Sequence, residues 1–428
     1  MADSRRTARR GRNRGRRTAG VLLAGLLSAS ACAAPDDGAA LDSTARGIRA
    51  TLDRRAAAVL EHDTDAYLAA IDPRATGLRT AQRRELDNLA DVPLSSWTYR
   101  LTDVTGQGTD RATADIQLRY RIKGYDAAPV AADRVLDLRR DSAEDRWYIV
   151  GDRAGKDGGR QLWQQGDVQV VGGKHSLVLG VGRTGQELHR IARAADRAVP
   201  AVSDAWPERW AGRVLVLVPH TVEDMADLLG SPAANYRGIA AVTTGRTGGP
   251  DRAPADRAPA DRAPADRVIV NPQAYGMLGT FGQRIVLGHE ITHVATRTRT
   301  SAATPTWLSE GFADWATYRA ENRTAAQAAP ELAGAVLRGD PPAELPTDED
   351  FGFAEDPARL ARAYEGAWLA CELIADHWGE EKLFAFYRAV GGHSRRDGAV
   401  EQAMREVLST TPQDFTARWR EYLGSRLG

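Results

Sequence analysis

The sequence predicts an α+β protein in two domains: an α+β unit over residues 41–155, then a small mixed sheet followed by a mainly helical C-terminal part over 165–428. Three observations carry this reading. Apolar residues at helical spacing give way to a strictly alternating stretch before Tyr125. A glycine-rich, charged segment, GDRAGKDGGR at 151–160, then breaks the apolar pattern and marks a boundary. Beyond it the run VLVLV at 214–218 shows no polar alternation, as a strand buried on both faces requires.

Taken in order, the first seventeen residues carry eight Arg against one Asp, and AGVLLAGLLSASA follows up to Cys32. A basic start before a short apolar run is an export signal, assigned to residues 1–31, with 32–40 as a tether. The run is shorter than the roughly twenty residues a membrane span needs. Ala29-Ser30-Ala31-Cys32 resembles a bacterial lipobox, which implies a lipid on Cys32 and a place on the outer face of the cytoplasmic membrane or in the envelope; cleavage after the small-residue triplet would give a secreted protein instead. Without residues 1–31 the chain holds 49 Lys and Arg against 56 Asp and Glu, a net charge of about −7. That balance argues against a nucleic-acid partner. Cys371, in an apolar stretch, is expected as a free buried thiol, so no disulfide framework is implied.

Leu41, Ile48, Leu52, Ala56, Leu60 and Leu68 have helical spacing. From Thr113 to Ile122 apolar and polar residues alternate, giving a strand with one wet face, and further strands are expected at 97–104, 134–138 and 147–150. Helices before an antiparallel sheet resemble the cone-shaped nuclear-transport-factor-2-like fold, on pattern rather than motif. The unit reads as a binding or spacing module. After the boundary come strands at 168–171 and 176–179, a helix over 184–205 and the 214–218 strand.

Residues 251–267 read DRAPADRAPADRAPADR, a five-residue repeat whose prolines block helix and ladder alike, so a disordered loop is expected over 245–267. Val268, Ile269, Val270 and Asn271 then form a short strand leading to a helix that holds HEITH. On a helix, residues i and i+4 lie one above the other, so His289 and His293 can present two imidazoles to one metal. Glu290, one position round, can take a proton from water without using a coordination site. A hydrolytic zinc needs a third protein ligand, and Glu310, with sixteen residues between it and His293, is placed to be that ligand. Asp314, four residues on, shares its helical face and can fix a ligand histidine's tautomer.

HEITH followed by WLSEGFAD resembles the gluzincin metallopeptidases, and the stretch from about Asp167 onward is similar to the bacterial peptidase MA-like domain. The resemblance implies one Zn2+ per chain held by His289, His293 and Glu310, with Glu290 as base and Asp314 orienting a ligand histidine. It also implies an edge strand, here 268–271, that pairs with the backbone of a peptide or protein substrate, and a transition-state donor, for which Tyr364 is the candidate. The aminopeptidase signature G-x-M-E-N is absent upstream, which favours an endopeptidase. An aminopeptidase, or a catalytically silent zinc-stabilised binding protein, are the alternatives. At the C-terminal end, residues 382–389 and 400–408 have helical spacing, and Thr411-Pro412 opens a last helix with Phe415, Trp419 and Leu423 on one face.

Overall fold

The computed structural model describes residues 37–106, 110–126, 128–156, 159–244, 266–352 and 356–428. The chain is mixed α+β, with one antiparallel sheet of four strands and one mixed sheet of five. The export segment, Cys32 and nearly all of the five-residue repeat lie outside the described residues. Among the described residues no helix is long and apolar enough to cross a membrane.

Three helices come first: α1 (Asp37–Glu61), α2 (Thr64–Leu68) and α3 (Thr76–Asn88). The single helical pattern expected to Leu68 is split where His62 takes a positive φ of 54° and Asp63 caps α2 through its side chain. Strands β1 (Leu94–Gly106), β2 (Arg111–Ile122), β3 (Val130–Asp141) and β4 (Arg146–Ala154) follow as a meander in sequence order. On β2 the alternation is visible as burial: Ala112, Ala114, Ile116, Leu118, Tyr120 and Ile122 point inward. Thr51 of α1 donates to the Trp147 carbonyl of β4 at 3.0 Å, so the helix lies across the sheet.

The second sheet has β5 (Val168–Gly172), β6 (Ser176–Val181), β7 (Val214–Val218), β8 (Ala241–Thr243) and β9 (Arg267–Val270), in the order β5-β6-β7-β9-β8. β6, β7 and β9 run parallel, and β5 and β8 are antiparallel edges. Every residue of β7 is buried, as its unbroken apolar run demands. Val214, Val216 and Val218 join one core and Leu215 and Leu217 another. The valine face is covered by α4 (Gly185–Ala205) and by α7 (Thr280–Thr296), the helix that carries HEITH. In chain order α5 (Val222–Leu229) and α6 (Pro272–Met277) come between these two helices.

The leucine face meets the N-terminal unit. Leu177, Leu179, Leu215, Leu217 and Ile269 pack in the same cluster as Trp97, Tyr120 and Trp163, so one core spans the boundary expected at 151–160. Tyr120 meets Trp163 edge-on at 4.9 Å between ring centroids. Arg267 of β9 donates to both carboxylate oxygens of the fully buried Asp126 at 2.9 Å.

The rest is helical: α8 (Thr306–Tyr318), α9 (Ala325–Ala328), α10 (Pro330–Leu337), α11 (Pro357–Trp378), α12 (Glu380–Gly391), α13 (Ala399–Ala403), which runs into a π turn at Met404–Leu408, and α14 (Pro412–Leu427). Phe415, Trp419 and Leu423 of α14 are fully buried. Trp307 of α8 stacks with Phe386 and Phe415 at 6.3 and 6.4 Å, so these helices back the one that carries Glu310.

Candidate metal centre

The two helices that carry the candidate ligands meet closely because glycines sit beside those residues. A Cβ on Gly288 would lie 2.8 Å from Thr317 of α8, and one on Gly311 would lie 2.1 Å from the Ala367 carbonyl of α11. Gly288 makes room for the Thr317 side chain, and Gly311 lets α8 lie almost backbone to backbone on α11. His289, Glu290, His293 and Glu310 are all buried in consequence.

Three ligand atoms converge there. His289 Nε2 lies 3.0 Å from His293 Nε2 and 3.2 Å from Glu310 Oε2, and His293 Nε2 lies 3.6 Å from the same oxygen. A tetrahedral cation with bonds of about 2.0–2.1 Å holds its ligand atoms about 3.3 Å apart, so the donor set fits such an ion in both chemistry and spacing. Asp314 Oδ1 lies 2.7 Å from His289 Nδ1. A carboxylate only accepts, so this nitrogen carries a hydrogen, and Nε2 is the nitrogen that faces Glu310 and His293 and would ligate a metal. Burial alone would disfavour a charged His289, but the Asp314 and Glu310 carboxylates outweigh it and push its pKa up to about 10. The site therefore favours positive charge at its centre. Among the described residues this is the one group of three or more such side chains able to hold a metal ion.

Sequence reasoning missed Thr243 as a partner of Glu290. Thr243, at the end of β8 and fully buried, has its hydroxyl 2.7 Å from Glu290 Oε2 and 3.0 Å from the Glu290 carbonyl. The two residues are forty-seven positions apart, and AVT is too short a strand to show a period, so no sequence signal pointed to the pair.

The expected substrate strand is corrected by the topology. Val268, Ile269 and Val270 belong to β9, which pairs with β7 on one side and β8 on the other and is buried throughout, so its edges are taken. Asn271 is not strand at all: it caps α6 by accepting from the Gln273 and Ala274 amides, and its amide donates to the Tyr236 carbonyl. Among the described residues the edge strand beside the metal centre is β8. Tyr364 of α11 is brought to the site, its ring centroid 6.3 Å from that of His289 and 5.1 Å from that of Phe351.

No protein-family model and no curated protein matches the chain. A solution structure of a SEC-C motif containing protein from Rhodopseudomonas palustris matches 28% of this chain and 91% of its own, at 21% identity and a TM-score of 0.20. That likeness is too slight to bear on fold or site.

The N-terminal unit holds a second buried polar group. Arg55 donates to Tyr67 at 2.8 Å and to Gln82, Arg134 donates to Asp152 at 2.7 Å, and Gln82 and Gln164 both donate to Glu85, at 3.0 and 3.1 Å. Two guanidinium groups face two carboxylates, and each member binds another, so the cluster ties α1 and α3 to β3 and β4.

Proposed function

We propose that the protein is a zinc-dependent peptidase, an endopeptidase by preference, of the gluzincin type. The observation that carries the reading is the convergence of His289, His293 and Glu310 at 3.0–3.6 Å with Asp314 behind and Glu290 beside them. A site that only stabilised the fold would have no use for a buried carboxylate held next to the ligands by a threonine. Bound zinc supplies Lewis acidity and makes water a nucleophile near neutral pH.

The chain's own residues supply the rest. Glu290 takes the proton of the attacking water as the new C–O bond forms, then delivers it to the amine nitrogen as the C–N bond breaks. Thr243 holds one oxygen of that carboxylate at 2.7 Å and so fixes its orientation beside the ligands. Asp314 keeps His289 in its ligating tautomer. The Tyr364 hydroxyl meets the charge that develops on the carbonyl oxygen. The substrate backbone runs along β8, which among the described residues pairs on one side only and ends at Thr243.

In this reading residues 41–155 form the cone-like unit and 165–428 the peptidase unit. The chain is exported and, through Cys32, lipid-anchored to the membrane. The test is a mixed peptide library digested by the zinc-loaded protein beside Glu290→Ala, with cuts mapped by mass spectrometry. Internal cuts that vanish in the variant are expected. N-terminal trimming would make it an aminopeptidase, and zinc binding without any cleavage would favour the silent binding protein.

A further inference from the structure

A cleft of about 340 Å3 runs between α8 and α11, lined by Asp314, Tyr318, Ala361, Tyr364, Glu365 and Trp368 together with apolar side chains. Two of its walls belong to the metal centre: Asp314 is bonded to His289, and Tyr364 stands beside the same ring. The cleft thus adjoins the metal centre on the side where Asp314 and Tyr364 flank His289. Its volume lies at the small end of ligand pockets, enough for one long side chain.

Its chemistry is one-sided. The lining has three aromatic rings and two carboxylates and contains neither Arg nor Lys. Tyr318 and Trp368 form an aromatic wall, with ring centroids 5.3 Å apart. Glu365 accepts from the Leu332 and Glu331 amides at the start of α10, at 2.6 and 3.3 Å, so its carboxylate is held in place from behind. Burial pushes the Glu365 carboxyl up; the two amides pull it down, Glu331 and Asp314 add to the rise, and it reaches about 7. Burial, Asp314 and Glu365 likewise push the Tyr318 hydroxyl up to about 12, against Arg323, which sits over the Phe281 ring at 4.2 Å. Negative potential with aromatic faces is what a guanidinium or ammonium group on a long apolar stem needs.

We infer that this cleft receives a basic side chain, Arg or Lys, next to the scissile bond, so that the substrate class is peptides with a basic residue beside the cut. Asp314 and Glu365 supply the charge, and Tyr318 and Trp368 supply the faces. The inference rests on the peptidase reading.

The test is a set of quenched peptides differing at one position beside the cut: Arg, its neutral isostere citrulline, Leu or Glu. Cleavage by the zinc-loaded protein should favour Arg over citrulline by about tenfold or more in kcat/KM. Glu365→Gln, which keeps an acceptor for the α10 amides, should cut that ratio several-fold. Ala361→Lys, which places a cation in the cleft without touching that cap, should abolish the Arg preference and favour Glu. Equal cleavage of Arg and citrulline peptides, a preference for Leu, or a ratio unmoved in both variants would overturn the inference and leave the peptidase reading standing. Absence of any Glu290-dependent cleavage would overturn both.

Discussion

At the scale of the residue, Thr243 is the side chain whose removal separates the peptidase reading from mere metal binding. Thr243→Val keeps shape and loses the hydroxyl that holds Glu290. The expected outcome is a kcat about tenfold lower with KM and zinc affinity little changed, and recovery in Thr243→Ser. Equal loss in valine and serine variants would mean the threonine only packs. Asp314 acts on the other side of the centre. With its carboxylate gone, His289 is free to turn and change tautomer, so Asp314→Ala should weaken zinc binding about 10- to 100-fold in a chelator competition. Unaltered zinc affinity would show that His289 needs no second partner.

At the scale of the element, what could be read from sequence was what is local. The pairing of His289 with His293, and of Glu310 with Asp314, follows from helical spacing, so the three side chains that the fold brings together were legible as candidate ligands. What could not be read was pairing across a gap. β8 has three residues, and its ladder to β9 closes over the segment 245–265, so nothing before Arg267 marked which strand was the edge. The helix α3 was also missed, because TGLRTAQRRELDN offers few apolar residues, and its buried face is partly polar, with Gln82, Glu85 and Asn88. Gly311 gains a reason only in three dimensions. Gly311→Ala would push α8 off α11 at the residue after Glu310, costing about 1–3 kcal/mol of overpacking and displacing the third ligand. A melt of the zinc-free protein and a zinc titration should both show the damage, and a normal titration would mean that α8 adjusts by sliding.

At the scale of the whole molecule, the two units expected from the sequence share an aromatic and leucine core, and their buried ion pair crosses between them. Losing one partner of such a pair leaves a buried charge unpaired, so Asp126→Ala should cost about 3–5 kcal/mol and lower the unfolding midpoint of the entire chain. Thermal unfolding followed by fluorescence and by far-UV circular dichroism should coincide in one transition. Two separated transitions would show that each unit is stable without the other.

The three parallel strands divide their residues by size. Val178 and Gly180 on β6, Val216 on β7 and Val268 and Val270 on β9 turn toward α4 and α7, whereas Leu177, Leu179, Leu215, Leu217 and Ile269 turn away, joined by Val181 at the end of β6. Apart from Arg267, which pairs with Asp126, and Ser176, which bonds Asp196, both faces are apolar, so polarity can do little to tell one alignment of these strands from a neighbouring one. Volume can. A slip by one residue would drive leucines under the HEITH helix and leave valines in the space the leucines fill, overpacking one layer and hollowing the other. The molecule thus keeps its ladder in step by bulk, and the height of His289 and His293 above the sheet is set by the girth of a valine.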